Sequence, residues 1–505
     1  MNRFTLLSAL LLASVEGFAG KNDPIVFQDF TVKQICVDNW DTNDDGELSY
    51  AEAAAVKSLD GKFGQRFDIY KFNEFKYFTG VTETCTNEFA GSGFFKEITL
   101  PPNLKKLGDG TFYSTGLRKI TFNEGLQEIG MYCFQECMYL SSISLPESIV
   151  TIKNEAFIGC QGIKEFRMPS KVKEIGPKTF FYCINLENII FNEALEKIHP
   201  NAFFECTALK KVHFTKNINT AESAFPRCTQ LQEFTVDSAN PYFTAIDGHL
   251  YTKDGKALVV YALGRPDTEY KVYEETTEIK SDAFGFAPHL VKVVLPESLT
   301  TIGKSAFQTC KNLQYVNLPE GVKQLKGSTF RDCNNLKDVE LPSQLTSIDE
   351  IVFLNCSQLK KISLPESLTS LGRDVFEGCT NMNEIRVYSK TGNIKNIESS
   401  SLIYNEEDNK TNNRTVYVPY GCLNTYKAHP YWKYAKEIKE MEMTAIDKVQ
   451  SDNTVTINGV AVATSGNANI YSLDGILVKK ISSADKEIHL PAGIYVVNGK
   501  KMVVK

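Results

Sequence analysis

Nothing in the chain marks it as a catalyst. Six histidines (His199, His213, His249, His289, His429, His489) are scattered over 505 residues, without the short spacings that gather imidazoles on one metal ion. There is no Gly-x-Ser-x-Gly elbow, phosphate-cradling glycine loop or dinucleotide fingerprint, so hydrolase and nucleotide chemistry are not expected. An excess of one charge is missing too. With 55 basic and 61 acidic side chains interspersed, the net charge of −6 supplies no field for nucleic acid or an anionic membrane. After the first twenty residues no apolar run is long enough to span a bilayer. Tryptophan is scarce at two residues, whereas 32 phenylalanines and 22 tyrosines suit a core of stacked rows.

What is present is a repeat. Phe157 is followed by Cys160, Ile163 and Phe166; Phe180 by Cys183, Leu186 and Ile189; Phe203 by Cys206, Leu209 and Val212. Cys137, Cys160, Cys183 and Cys206 are 23 apart, as are Cys310, Cys333, Cys356 and Cys379. A period of this length predicts a solenoid, in which each unit buries its apolar edge only against its neighbours. Twelve units begin at Phe89, Phe112, Phe134, Phe157, Phe180, Phe203, Phe225, Phe284, Phe307, Phe330, Phe353 and Phe376. Each carries a short strand, ended in several units by proline, as in Leu140–Pro146 and Leu313–Pro319, because proline cannot donate to a ladder. A second apolar pair, such as Ile149 and Ile152 or Leu299 and Ile302, turns the chain back. The expected fold is an α/β-type solenoid, a strand plus an irregular or short helical turn per unit of about 23 residues.

Thirteen cysteines in an exported chain would ordinarily suggest disulfides. Nine of them (with Cys228 added to the two quartets) hold one repeat position, which Ala287 fills in another unit. Parallel Cβ vectors do not converge to a disulfide, so these thiols are expected reduced, as small buried hydrophobes. The states of Cys36, Cys85, Cys133 and Cys422 are not readable.

The flanks differ from the repeats. Residues 1–19 read as a signal peptide: Arg3, the apolar run Leu6 to Val15, and the small-x-small Gly17-Phe18-Ala19. Residues 20–80 form an N-terminal cap, 81–387 the solenoid, 388–442 its C-terminal cap, and 443–505 a small all-β sandwich with Asn-Gly and Asp-Gly turns. Within the repeats, 237–278 lack Phe-x-x-Cys and hold a hairpin around Asp254-Gly255, either a sheet extension or a protruding island.

Asp41 to Glu52 fits a twelve-residue calcium loop. Asp41, Asn43 and Asp45 offer side-chain oxygens, Glu47 its carbonyl, Ser49 a water-mediated contact and Glu52 a closing carboxylate; Gly46 makes the turn. The loop resembles an EF-hand, and its continuation resembles a dockerin half without a second loop. A structural calcium ion that stiffens the cap is expected, rather than a sensor.

The phenylalanine–cysteine–leucine pattern resembles the BspA-like leucine-rich-repeat family of bacterial surface proteins, and the island resembles that family's variant unit. The resemblance implies an exported, surface-exposed protein that adheres to host-matrix or other extracellular proteins, cells or glycans; it names no ligand. The tail, with Ile470-Tyr471, Gly493-Ile494-Tyr495 and the terminal Val503-Val504-Lys505, resembles a type IX secretion C-terminal sorting domain. That likeness implies contact with secretion machinery and display outside the outer membrane; an ordinary β domain is the alternative. The outward strand positions supply the candidate contacts Arg167, Lys211, His213, Lys292, Tyr315, Lys361 and Arg386, with His249 and Tyr251 from the island. The alternative for this face is a solvated surface, and for the whole protein a structural surface or assembly component without a dedicated ligand.

Overall fold

The computed structural model describes residues 20–390, 396–397, 404–405, 410–429, 432–441, 453–457, 460–464, 468–472, 476–481, 487–497 and 500–504. The leader at 1–19 lies outside the described residues. Two compact units result, one of residues up to 383 with 394–402, the other of 384–393 with 403–505.

The first unit is a β-solenoid. Its first ladder pairs short parallel strands coil to coil: Lys71–Phe72 with Glu97–Thr99, then Lys119–Thr121. It continues with Glu165–Arg167 on Asn188–Ile190 and with Lys211–Phe214 on Glu233–Val236. The second apolar pair of each repeat makes a second parallel ladder, not a plain return: Lys106–Leu107, Glu128–Ile129 and Thr151–Ile152 stack in register. Thr301–Ile302 does the same on Glu278–Ile279.

Of the two connections expected, the irregular one is found and the short helical turn is not. Among the described residues from 81 to 383, no α-helix occurs. Each turn around the phenylalanine carries two left-handed residues four apart, such as Glu155 (φ 63°) with Gly159 (φ 67°) and Ser328 (φ 61°) with Asp332 (φ 59°). A left-handed residue ends any α-helical run. Hydrogen bonds to the next coil hold these turns open instead: the N–H groups of Phe157 and Gly159 donate to the carbonyls of Thr179 (3.0 Å) and Phe181 (2.8 Å). Close coil contact accounts for the glycine after the second ladder, since a Cβ at Gly303 would sit 2.4 Å from the Ser281 nitrogen.

Phenylalanine rings stack along the interior at centroid spacings between 4.8 and 5.7 Å, through Phe134, Phe157, Phe180 and Phe203 on one side and Phe284, Phe307, Phe330, Phe353 and Phe376 on the other. Two rungs escape the sequence pattern. Phe63 lies 5.5 Å from Phe89, and Tyr261 lies 5.1 Å from Phe284. Tyr261 is 23 residues before Phe284, but Gly264 replaces the cysteine of its unit.

The nine row cysteines are buried and unbonded to one another. Each thiol donates to the carbonyl of the phenylalanine one coil back, for example Cys160 to Phe134 (3.0 Å) and Cys333 to Phe307 (3.0 Å). The row is therefore a polar tie as well as apolar filling. Burial pushes the Cys137, Cys183 and Cys310 thiols up to about 12, which keeps them neutral and unreactive.

In the island, Phe243–Ile246, His249–Thr252 and Ala257–Val260 form an antiparallel meander. Its last strand pairs in parallel with Glu278–Ile279, so the island ends by restarting the second ladder. In the second unit, Glu384–Val387 pairs with Lys410–Val418, and the buried Trp432 packs on Tyr426 at 5.8 Å. Its tail holds the sheets Asn453–Ile457 with Val460–Thr464 and Ala468–Ser472 with Leu477–Ile481 and Gly493–Val497. Ile470, Ile488, Leu490, Tyr495, Val497 and Val504 share one core there. No helix among the described residues is long and apolar enough to cross a membrane.

Candidate functional site

The calcium-loop residues sit between α1 (Phe30–Trp40) and α2 (Tyr50–Ala55). Asp29 starts α1 by accepting from Val32 N–H (3.2 Å), and its other oxygen accepts from Tyr70 N–H (2.6 Å), which ties the helix to the first coil. Ser49 and Glu52 cap α2 reciprocally. Asp41 closes α1 and turns its carboxylate into the loop, accepting from Asp44 N–H (2.8 Å) and Gly46 N–H (2.9 Å). Asn43 and Asp45 each accept from the N–H two residues on, both at 2.9 Å. Gly46, at φ 81°, makes the reversal that a side chain would strain.

Glu52 reaches back across the loop. One of its oxygens accepts from Thr42 N–H (2.8 Å) and the other from Ser49 Oγ (2.8 Å). Partial burial works against its charge, yet the hydrogen bonds from Ser49 and Thr42 hold its carboxyl at about 2. Leu48 is buried and its carbonyl accepts from Ile25 N–H (2.8 Å), so the segment before α1 fastens the loop's outer edge.

The donor set is all oxygen and suits a hard cation such as calcium. Two features bear on the fit. Glu47 extends its side chain to Lys33 (2.6 Å), leaving only its carbonyl for the loop. Among the described residues no group of three or more His, Cys, Asp or Glu stands ready as a metal cluster, so a cation here would depend on Asn43 and backbone oxygen as well as carboxylates.

The outward candidates divide. Arg167, Lys211, His213, Tyr315 and Lys361 are exposed on the first ladder, and Lys292 is half-buried there. Several are already engaged with the neighbouring coil: Lys211 with Glu233 (2.8 Å), Lys292 with Glu269 (3.3 Å) and His213 with Thr235 (2.9 Å). In the second unit, Arg386 pairs with Glu384 (2.6 Å) and lies over the Tyr417 ring at 5.5 Å.

His249 and Tyr251 are not surface residues. Both are fully buried, because the meander turns them toward the coil interior. His249 Nδ1 accepts from Ala262 N–H (3.0 Å), and the ring stacks on Tyr261 at 4.3 Å. Burial, reinforced by Arg265, lowers its pKa to about 3, so it is neutral. Tyr251 shares a hydroxyl hydrogen bond with Tyr270 (2.8 Å). Leu250 between them is buried as well, so both faces of this strand are covered, which the hairpin sequence alone does not reveal.

The sequence pattern also passed over an aromatic edge on the early coils. Phe67, Tyr70, Phe94, Met138 and Tyr139 are all exposed there. Lys96 lies 5.6 Å from the Tyr70 ring and Arg118 lies 5.3 Å from the Tyr139 ring. Phe94 and Tyr139 directly precede the inward Phe95 and Leu140, and Tyr70 follows the inward Ile69, a placement that is the signal for these three.

A family profile described as BspA type Leucine rich repeat region matches in six copies, over residues 65–183, 127–251 and 277–406. Among solved structures, the chain is similar to a leucine rich cell surface protein from Faecalibacterium prausnitzii, with TM-score 0.57 and 27% identity over 63% of this chain and 87% of that one. It is similar too to a leucine-rich repeat protein from Bacteroides ovatus (TM-score 0.47, 24% identity, 72% and 88% covered). The pneumococcal vaccine antigen PcpA gives TM-score 0.46 at 20% identity, with 74% and 85% covered. No curated protein matches the chain.

Proposed function

The chain belongs to the BspA-type leucine-rich-repeat family, and from that premise we propose that it is an exported cell-surface protein. Its task is non-covalent adhesion to, or capture of, host or extracellular proteins, other cells or polymers. The observation that carries this reading is the division of each coil. The interior repeats phenylalanine, thiol and leucine, while the outward strand positions run through Lys119, Glu165, Asn188, Lys211, Tyr315 and Lys361 without a pattern. A solenoid gives such positions one long, continuous surface, suited to binding and poor at enclosing a reaction. No catalytic role is assigned.

In this reading the leader at 1–19 directs export, and the tail from 443 to 505 engages secretion machinery and leads to display outside the outer membrane. Asp41, Asn43, Asp45 and Glu52, with the Glu47 carbonyl and a water on Ser49, hold a calcium ion that stiffens the cap. Calcium there supplies only charge and geometry.

The test is a binding screen of the chain from residue 20 against matrix proteins, cells and glycans, with calcium and with chelator. Capture of at least one class is expected. Its absence throughout would favour the second reading, a surface or assembly component without a dedicated ligand. The coil-to-coil pairing of Lys211 with Glu233 and Lys292 with Glu269 speaks for that reading, since paired charges are already satisfied.

A further inference from the structure

The first ladder is interrupted more than once, since Asn188–Ile190 does not pair with Lys211–Phe214, and at one coil the pairing is missing altogether. Lys119–Thr121 pairs backward with Glu97–Thr99, and Glu165–Arg167 pairs forward with Asn188–Ile190. Residues 141–145, which belong between them, form no strand and join none of the backbone hydrogen bonds of the described residues. Backbone N–H and C=O groups there are free to bind something else. Beside this break lies a recess of about 320 Å³, lined by Lys119, Thr121, Glu124, Ser142 and Ser144.

The upstream end of the same coils carries the exposed aromatics. Tyr139 is 59% exposed and has the Arg118 guanidinium over its ring. Tyr70 carries Lys96 in the same way and adjoins Phe94 at 6.1 Å. Neither Lys96 nor Arg118 takes part in an ion pair among the described residues, whereas Glu97 is already shared by Lys71 and Lys119. A cation resting on a ring face still has N–H donors to give. Over residues 66–71, 94–99, 116–121 and 138–144 the chain holds five cations and two carboxylates, against its overall net charge of −6.

These features match one class of ligand. Small-molecule sites occupy about 300–1,000 Å³, so the recess suits one sugar ring. Hydroxyl groups, bare backbone and Glu124 suit sugar hydroxyls, and the neighbouring cations suit acidic substituents. A protein partner would call for apolar area at the centre of the patch and polar groups at its rim. Here most of the exposed recess surface is polar, although Ile120, Phe122, Leu145 and Pro146 also line it, and the aromatics lie along one edge and not at the centre.

We propose that this site binds an acidic polysaccharide. One sugar occupies the recess, its carboxylate or sulfate groups meet Arg118 and Lys96, and sugar faces rest on Tyr139 and Tyr70. The proposal rests on the surface-capture reading above and gives that reading a ligand class and a place.

The test uses the chain from residue 20, in chelator so that calcium cannot bridge charges. It is passed over immobilised polygalacturonate, dextran sulfate and neutral dextran. Retention on one or both acidic polymers, and not on dextran, is expected; which one distinguishes carboxylate from sulfate. Arg118→Ala and Tyr139→Ala should each weaken retention about 10-fold or more, as expected for loss of a charge-assisted or stacking contact. Arg118→Lys should recover part of it, and Lys311→Ala, at an exposed downstream lysine, should change nothing. All four variants alter surface positions, so thermal midpoints should match the parent and confirm folding. No retention on either acidic polymer, equal retention on dextran, or undiminished retention by Arg118→Ala and Tyr139→Ala would overturn the site. If the chain then still captures matrix proteins or cells, only the site fails; if it captures nothing, the adhesive reading fails with it.

Discussion

Just before the inward apolar residue, two coils upstream of the island carry the exposed aromatics Phe94 and Tyr139, and the other upstream coils carry Gly116, Gly162, Asn185, Ala208 and Gln230; downstream the same place holds His289, Asn312, Asn335, Gln358 and Asn381, with no aromatic among them. The downstream amides do structural duty, as Asn312 shows by donating to the Pro288 carbonyl one coil back (2.7 Å). The upstream aromatics make no such tie and stand in solvent. The ladders differ in the same sense. Downstream, even the weakest coil keeps a bridge from Asp338 to Tyr315, whereas upstream the coil at 141–145 has lost its pairing altogether. Inside, the two sides are alike, with the same ring row and the same thiol-to-carbonyl tie. Packing against two neighbours dictates the interior, and the outside is left free to differ. Function is to be sought where the outside departs from the plain pattern.

If the interiors are equivalent, Phe157→Ala and Phe330→Ala should cost alike. Each empties a buried rung, so urea unfolding should show a loss of about 3–5 kcal/mol. A mild effect on one side only would break the equivalence.

The joint between the sides should respond to acid. His249 titrates near 6.5 when unfolded and at about 3 when folded, so below pH 6.5 the unfolded chain binds the extra proton. Its stabilising contribution is complete above that pH and is lost as pH falls toward 3. The loss reaches about 4 kcal/mol, because each tenfold difference in proton affinity between the two states is worth about 1.4 kcal/mol. His249→Gln should flatten this part of the pH profile in thermal melts; an unchanged slope would place the acid response elsewhere.

Calcium should sharpen the comparison at the far upstream end. At 10 mM, an extracellular-type site with affinity of about 0.1–1 mM adds about 1.4–2.7 kcal/mol. Calorimetry should show the rise in the parent and not in Glu52→Gln, and identical curves in calcium and chelator would remove the ion. The smallest effect is expected from Lys211→Ala. Its exposed pair with Glu233 is worth under about 1 kcal/mol, so a larger loss would mean the outward face is not free after all.

The solenoid was legible because its period is written in residues that cannot be exchanged cheaply: ring, thiol, leucine and proline. The second ladder was visible as an apolar pair, such as Leu299 and Ile302, but two residues do not reveal a strand until coils stack. The left-handed pairs were hidden because residues as ordinary as Glu155 and Ser328 occupy them, held by bonds to the next coil. Phe63 was missed for its spacing of 26 from Phe89, and Tyr261 because Gly264 replaces its cysteine. Tyr261 also decides how the island can be probed. Deleting 237–278 would remove a rung of the core, so point changes on the surface are the cleaner probe. At the calcium loop, the sequence named the oxygens but not the Ile25 bridge that fastens Leu48, which depends on a segment 23 residues away.

The decisive measurement is surface capture by two double variants side by side: Arg118→Ala with Tyr139→Ala upstream, and Asn312→Ala with Tyr315→Ala downstream. The account predicts that the parent captures its target, that the upstream pair loses capture with folding intact, and that the downstream pair retains it. Equal capture by both, or none by the parent, would contradict it.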